Sequence, residues 1–348
     1  TSDNPIVVPN FRFFQEFEQD NKWWTLHFTS EETWFWESNI SVSNSIQERL
    51  YNFNLQDLDT NANSEAELQL EITSNTSNPI VNPDHSMEVF LNNQFLQTIN
   101  WDGRTWQSLR IPFSQKLLST GDNILKLKFL PVYGVVANRY GFDQFNIVYK
   151  RLFLAHNNEM IFSNPDSGDF TFRINGFSDE SPNVWDITSP LKPVSLLDIT
   201  SENGLLEFSS EQTNPRNYVA YGRSAIRSPE MELTYFSDLH GSTNRADYLI
   251  ISPNEFIPAL KPLVDWRSQQ GLNVKVVDLQ EVFDQFNFGF AHPVGIKNFI
   301  RNTFQTWEIA PTYVLVVGDG HWDLKNNLTD LKNYLPPNFV WVDPTQGE

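Results

Sequence analysis

The sequence has 348 residues, of which 40% are hydrophobic and 14% aromatic, and a formal net charge of −19 from 24 basic and 43 acidic residues. This apolar content excludes a disordered chain, and the length suffices for two or three domains. The negative field repels phosphate backbones, so we predict no nucleic-acid partner, whereas cations such as calcium are compatible with the charge.

The sequence contains no cysteine. Disulfides, zinc–thiolate sites and a thiol nucleophile within these residues are therefore excluded. No apolar run approaches the roughly 20 residues that span a bilayer, so we predict no transmembrane segment. The first residues include neither Met nor a basic segment, and we expect a processed or artificial terminus there.

Residues 1–152 are predicted to form an antiparallel β module. The segments 66–73 (AELQLEIT) and 123–130 (NILKLKFL) alternate apolar and polar residues at period two, as strands with one buried face do. Between them lies MEVFLNNQFLQTINWDG, a predicted hairpin whose Asn92-Asn93 turn can take positive φ. Many short strands of this kind indicate a β-sandwich or jelly-roll-like module, with 142–151 as its closing strand.

Two stretches of this module offer functional alternatives. Trp34 and Trp36 lie in an aromatic run where exposed rings would stack on carbohydrate, but alternating Trp and Phe in a strand favours an inter-sheet core. The segment 57–67 (DLDTNANSEAE) resembles a calcium loop in its early Asp and Asn positions. Because it lacks Gly at the sixth position, we predict a turn, with a calcium site outside the EF-hand type as the alternative.

Residues 153–243 are predicted to form a small β-rich module and a linker. The segment 169–177 (DFTFRINGF) alternates cleanly, and 204–210 (GLLEFSS) is a second short strand.

The pattern changes near residue 244. A short, continuously apolar strand of the kind buried on both faces is followed by alternating amphipathic helices and strands. The order β-α-β-α-β requires a parallel sheet with right-handed crossovers. The predicted elements are strand 246–253, helix 254–270 ended by Gly271, strand 273–283, helix 292–307 and strand 312–318. The apolar stripe of helix 292–307 is predicted to hold Ile296, Phe299, Ile300 and Phe304.

The loop after the last strand carries Asp319, His321 and Asp323. Ligands of parallel sheets bind beyond the carboxyl ends of the strands, where this loop lies. An extended backbone would place the three side chains on one side, to ligate a cation such as calcium or to orient the imidazole as a base. The alternative is that Asp319 caps a tight turn while the other two side chains are solvated. His292, before a helix, is predicted to be a cap or hinge residue.

From Ala246 onward the sequence resembles the gingipain-like cysteine peptidases, a caspase-related family. The motifs that carry this resemblance are ADYLIISPNEF, LKPLVDWRSQQGLNVKVVD, HPVGIKNFIRNTF and PTYVLVVGDG. The β-rich leader is similar to the N-terminal modules of secreted bacterial relatives through WFWES, the predicted hairpin and FDQFNIVYKRLF. The implied fold is mixed: antiparallel β-sandwich or jelly-roll-like modules, then a partial caspase-like α/β domain with a parallel sheet over residues 244–348.

The resemblance implies an endopeptidase that hydrolyses peptide bonds of a polypeptide substrate through a Cys–His dyad. The family's GHG-type His loop and Cys-containing strand end do not occur in this sequence, so we assign no catalytic residue. Since the thiolate is the nucleophile, the chain alone should be inactive. We expect the remaining peptidase fragment, as a second chain or a continuation, to complete a sheet that would otherwise expose an edge.

In the family context, Asp319, His321 and Asp323 would shape the substrate pocket or a nearby calcium site. The resemblance also implies a bacterial protein that is secreted or displayed on the cell surface and that is proteolytically processed. Two alternatives remain. One is a signal-peptidase-like or sortase-like enzyme of a bacterial secretion system, and the other is a non-catalytic cell-surface or matrix adhesion protein on the same scaffold.

Overall fold

The computed structural model describes residues 5–26, 33–179 and 181–338. The chain divides into two compact units, the first ending at Pro229 and the second beginning at Glu230. The strands of the first unit, in chain order, are β1 (Ile6–Val8), β2 (Asn10–Glu18), β3 (Lys22–Trp23), β4 (Trp34–Phe35), β5 (Glu37–Val42), β6 (Gln47–Asn54), β7 (Glu65–Ser74), β8 (His85–Leu91), β9 (Gln94–Trp101), β10 (Trp106–Ser114), β11 (Asp122–Phe129), β12 (Asn138–Leu152), β13 (Glu159–Asn164), β14 (Gly168–Ile174), β15 (Asn183–Asp186), β16 (Val194–Ser195), β17 (Ile199–Glu202), β18 (Leu205–Gln212) and β19 (Arg216–Tyr221). Short 3₁₀ helices cover Gln115–Leu117 and Arg223–Ala225.

Two antiparallel sheets form the first β-sandwich, as the sequence predicted. One sheet has the order β10-β7-β12-β2, with β5 also paired to β12, and the other has the order β6-β11-β8-β9. Alternate residues of each strand enter the core between the sheets, and Leu68, Leu70, Leu125 and Leu127 are fully buried there. The period-two pattern of the sequence therefore corresponds to the inward face of each strand.

The structure contains both the predicted hairpin and the predicted closing strand. Asn92 and Asn93 both adopt positive φ, +48° and +65°, in the tight turn that joins β8 to β9, which confirms the hairpin. The predicted closing strand corresponds to β12, the last strand of the first sandwich, which has 15 residues and pairs with β7 on one side and β2 on the other. Its aromatic residues Phe142 and Phe145 are fully buried, which suits a central strand and not an edge.

A second pair of sheets follows within the same unit. Their orders are β1-β14-β18-β17 and β13-β19-β15-β16, with Phe162, Phe172, Phe208 and Tyr218 in the shared core. Strand β1 pairs in parallel with β14, and Phe11 of β2 is buried in this same core. The first dozen residues therefore belong partly to the second sandwich, although the sequence assigned all of 1–152 to one module; that boundary stays a prediction.

The second unit contains the predicted parallel sheet. Its order is β21-β20-β22, and both pairings are parallel, with Tyr248 opposite Val274 on one side and Tyr313 on the other. The elements are β20 (Tyr248–Ser252), a 3₁₀ helix (Asn254–Leu260), α1 (Lys261–Gln269), β21 (Val274–Asp278), α2 (Leu279–Phe286), α3 (Pro293–Thr306) and β22 (Tyr313–Val316). Gly271, with φ +86°, follows α1 where the sequence predicted its end.

The prediction of one strand over residues 273–283 is wrong beyond Asp278. There the Asp278 side chain accepts a hydrogen bond from the Gln280 backbone N and so caps α2. Leu279, Val282 and Phe283 then follow at helical spacing and are buried against the sheet. The predicted capping role of His292 is confirmed, since its Nδ1 accepts from the Val294 backbone N at 3.2 Å.

The core of the second unit extends to residues before 244. Leu239 is fully buried, and its carbonyl accepts a hydrogen bond of 2.9 Å from Trp307 Nε1. Leu239 therefore packs in the core of the α/β unit. The domain boundary predicted at residues 243–244 stays a prediction. Among the described residues, the helices are all too short or too polar to meet the requirements for crossing a membrane.

A buried polar pair lies at one end of the first sandwich. Asp84 and His85 are both fully buried, and the His85 ring nitrogen Nδ1 hydrogen-bonds the Asp84 carboxylate. Burial by itself would raise the pKa of the Asp84 carboxyl, but backbone N–H donors from Asn78 and Gly103 outweigh it and lower that pKa. Burial lowers the pKa of His85, against the opposing effect of Asp84.

We expect the first unit to lose stability as the pH falls below about 6.5, the ordinary pKa of His, because the unfolded histidine takes up a proton that folded His85 resists. The loss between pH 7.5 and 5.5 should be about 1 kcal/mol, measured by urea unfolding with near-UV circular dichroism. His85→Gln keeps a donor for Asp84 but does not titrate, so it should flatten this dependence. The surface substitution His156→Gln is the control, and an unchanged slope in His85→Gln would contradict the assignment.

Candidate functional site at the carboxyl edge of the parallel sheet

The loop that carries Asp319, His321 and Asp323 leaves the sheet at the carboxyl end of β22. Val317 N still donates to Ile251 O at 2.8 Å, so the backbone is held to β20 up to this point. Gly318 then adopts φ +128°, and a Cβ there would lie 3.3 Å from Cβ of Tyr334. Glycine is needed because the returning chain passes this close.

Asp319 and His321 hold the two sides of the loop together. The Asp319 carboxylate accepts from the Gly320 backbone N, while its carbonyl accepts from Leu335 N at 3.1 Å. His321 Nε2 donates to the Leu331 carbonyl at 2.7 Å, and Nδ1 accepts from the Asp323 backbone N at 3.2 Å. Both ring nitrogens are therefore engaged, and this pattern fits a neutral imidazole with its proton on Nε2.

Asp323 organises the far end of the loop. Its two carboxylate oxygens accept backbone N–H groups of Asn327 at 2.8 Å, Leu328 at 2.7 Å and Thr329 at 2.9 Å. Burial would raise the pKa of this carboxyl, but the three donors outweigh it and hold the pKa below its usual value. The carboxylate is thus a structural acceptor for a tight loop.

The structure tests the geometry predicted for these three residues. Asp319 caps the turn, as one alternative held, but Asp323 is fully buried and not solvated. The carboxylate of Asp323 faces the backbone of residues 327–329 and not the imidazole of His321. Throughout ranges 5–26, 33–179 and 181–338, no three His, Asp or Glu side chains gather as a metal site requires. The calcium site and the role of the loop as a pocket wall both remain proposals.

An apolar cavity of about 500 Å³ lies beside the loop, between α3 and the chain that returns from it. Ile296 and Ile300, on the predicted apolar stripe of α3, form one side, and Val316 lies at the end of β22. Leu335, Pro336 and Pro337 form the other side. Sequence reasoning missed this cavity; its signal was the run YLPPN, which brings apolar side chains back to a sheet edge.

Strand β22 is one of the two edge strands of the three-stranded sheet, and β21 is the other. Strand β22 pairs with β20 on one side, and the described residues place no strand on its other border. Its side chains are half-buried or exposed, with Tyr313 at 55% exposure, whereas all five residues of β20 are buried. The cavity continues this border at Val316, so apolar surface and unpaired backbone lie side by side.

The two tryptophans considered for carbohydrate binding lie in the first sandwich. Trp34 is buried, with 6% of its surface exposed, and Trp36 packs on Tyr51 and Phe142 at ring distances of 5.0 and 5.8 Å. The core interpretation is therefore confirmed. A sugar-stacking face needs aromatic rings that present their surfaces to solvent, and carbohydrate binding by these two residues stays a prediction.

The carboxylates of the segment 57–67 are engaged by protein donors. Asp57 Oδ2 accepts from Arg151 Nη2 at 2.8 Å and contacts His156 Nε2 at 2.7 Å. Asp59 accepts from Asn10 Nδ2 at 2.7 Å and from the Asn61 backbone N at 2.9 Å. The predicted turn is confirmed, and these oxygens stabilise the junction with β12 without converging on a shared cation position.

Comparison with known proteins places the second unit. Residues 242–346 match the model of "Peptidase family C25". A crystal structure of dimeric latent PorU from Porphyromonas gingivalis superposes with a TM-score of 0.64 at 16% identity, over 87% of this chain and 29% of that one. The chain thus spans less than a third of the length of that structure.

Two other solved structures resemble parts of the fold only distantly. A Paenibacillus cycloisomaltooligosaccharide glucanotransferase gives a TM-score of 0.24 at 8% identity, over 63% of this chain and 48% of that one. The CUB1-EGF-CUB2 domain of human MASP-1/3 gives 0.21 at 11% identity, over 59% and 98%. No curated protein sequence matches the chain.

The parallel sheet, the matched residues and the superposition agree with the resemblance found in the sequence. The similarity to the gingipain-like cysteine peptidases is therefore confirmed, with residues 242–346 matching the C25 peptidase family.

Proposed function

We propose that this chain supplies the β-rich modules and the opening part of the catalytic domain of a secreted or surface-displayed bacterial cysteine endopeptidase. The nucleophilic thiol and its His base come from polypeptide outside these 348 residues, because the sequence contains no cysteine. The observation that carries the proposal is the open β22 border with its apolar cavity, in a unit that resembles family C25.

The unpaired edge of β22 lies next to apolar surface that solvent can reach. A strand edge next to an apolar cavity favours association with another polypeptide, since unpaired N–H and C=O groups and apolar surface are satisfied together. A further parallel strand beside β22 would hydrogen-bond its free edge, and a helix crossing back would fill the space lined by Ile300 and Val316. In this arrangement the loop of Asp323 stands at the carboxyl edge, where parallel sheets bind their ligands.

The central test is thiol labelling. The 348-residue chain alone should not react with a peptidyl acyloxymethyl ketone, because it has no thiol. The chain joined to the polypeptide encoded after Glu348 should be labelled on a cysteine of that added part and should hydrolyse peptide substrates. Transfer of the acyl group to an added amine, in preference to water, would indicate the sortase-like alternative. Joined protein that folds but is neither labelled nor hydrolytic would support a non-catalytic adhesion scaffold and contradict the proposal.

Val316→Glu tests the border directly. A carboxylate in the cavity should weaken association of the completing polypeptide at least about 10-fold, since an unpaired charge would be buried in apolar surroundings. The chain alone should remain folded, because Val316 is only half-buried. The control is Ile161→Glu, an exposed position on edge strand β13 of the first unit. Isothermal titration of separately expressed parts would measure the effect, and equal losses in both variants would exclude the border as the docking surface.

Asp323→Asn tests the loop as a rigid wall. In the wild type, three backbone N–H groups donate to the two carboxylate oxygens of Asp323. An amide has only one acceptor oxygen, so the turn at 327–329 should open in the variant. Amide hydrogen exchange at these residues should accelerate at least about 10-fold. The same protection should be lost in the wild-type chain as the pH falls below about 4, because protonation removes the acceptor charge of a carboxyl whose pKa is lowered by folding. Asp330→Asn, beyond the three donors, is the control and should leave exchange unchanged.

A further inference from the structure

The turn between α2 and α3 holds an exposed aromatic residue in an unfavourable backbone conformation. Phe288 has φ +53° and the following Gly289 has φ +83°, two consecutive positive values as in a type I′ turn. For a bulky residue this conformation is an outlier that costs conformational energy. The side chain recovers nothing by packing, since 94% of its surface is exposed.

The rest of the turn holds Phe288 in this position. Phe290 N donates to Asn287 O at 3.0 Å, and Asn287 Nδ2 donates to Phe290 O at 2.7 Å. Gly289 N donates to Phe283 O at 3.0 Å, which fixes the turn to the last part of α2. A strained aromatic residue that is held rigidly in solvent serves poorly for folding, and such outliers cluster at ligand clamps.

Helix α3, which follows this turn in the chain, carries exposed apolar and basic residues of its own. Val294, Lys297, Arg301 and Phe304 follow at spacings of three and four and are all exposed, so they form one outward stripe. Phe304, which the sequence placed on the apolar face of the helix, is 62% exposed and lies on this stripe instead. We call the following residues the α3 surface: Phe288, Phe290, Val294, Lys297, Arg301 and Phe304.

The charge of the α3 surface is opposite to that of the chain. Residues 285–307 contain no Asp or Glu, although the whole sequence carries a net charge of −19. Within the described part of the chain, neither Lys297 nor Arg301 forms an ion pair. A merely solvated helix face of an acidic protein would carry acidic residues like the remainder of its surface. Two unpaired cations between exposed aromatic residues indicate complementarity to an acidic, apolar ligand.

We propose that the α3 surface binds an acidic polypeptide segment that carries bulky apolar side chains. From Val294 to Phe304 the helix rises about 15 Å, a length that a short helix or strand of a partner can cover. Apolar side chains of the partner pack on Phe288 and Phe304, while its carboxylates meet Lys297 and Arg301. An anionic membrane is less well matched, because lipid-binding clusters carry roughly four to eight basic residues and the rest of this chain is negative. The inference requires no peptidase activity, although Val294 and Lys297 also line the cavity beside β22 that the proposed function assigns to the completing polypeptide.

The experiment is selection of a random 12-residue peptide display library on the full 348-residue chain. The enriched peptides should combine Asp or Glu with Phe, Leu or Trp. Binding of a labelled enriched peptide, followed by fluorescence anisotropy, should weaken at least about 10-fold in K297E/R301E and when salt is raised from 50 to 300 mM. The matched control K116E/K192E changes the net charge equally at exposed lysines of the first unit and should alter affinity less than about twofold.

Phe288→Asn provides an independent readout. Asn tolerates positive φ, so this variant should raise the midpoint of thermal unfolding by about 2 °C while weakening the peptide about 5-fold. Enrichment of neutral or basic peptides, no enrichment, or equal losses in both charge variants would overturn the proposal. Binding to phosphatidylcholine–phosphatidylglycerol vesicles that requires Lys297 and Arg301, without peptide enrichment, would overturn it in favour of a membrane surface.

Discussion

The second unit depends on the burial of β20, which is hydrogen-bonded on both edges and covered on both faces. Its residues Leu249, Ile250 and Ile251 are fully buried, so the strand cannot exist without β21, β22 and the helices that cross between them. On one side the sheet ends at β22. A further parallel strand beside β22 would have to be joined to it by a crossover connection. The open edge, the apolar cavity and the loop of Asp323 are consequences of this one arrangement.

The polar loop after β22 is held together by hydrogen bonds between its own side chains and backbone. Asp319, His321 and Asp323 direct their hydrogen-bonding atoms to backbone groups of residues 320–335, which fixes the loop beside the cavity. Side chains engaged in this way stabilise the loop beside the cavity.

Much of the fold could be predicted from the sequence because each strand has a regular side-chain period. The alternation in β7 and β11 and the continuous apolar run of β20 identified their environments correctly, and Asn92-Asn93 identified the hairpin. The prediction for 273–283 failed because apolar residues lie on both sides of Asp278, although Asp278 followed three residues later by Glu281 is a pattern that begins helices. The position of Phe304 and the burial of Asp323 depended on tertiary packing, which a local pattern does not contain.

The start of the chain passes from one sandwich to the other within a few residues. Strand β1 adds to the second sandwich, Phe11 is buried in its core, and Phe13 packs on both cores while its ring lies 4.5 Å from the Arg151 guanidinium. The N-terminal residues therefore contribute to both sandwiches, and each sandwich needs them to complete its core or its sheet. A recombinant fragment that ends at residue 152 would expose Phe11 to solvent, and the remaining fragment would lack the edge strand β1. The two sandwiches should therefore be expressed together and should fold as one cooperative unit.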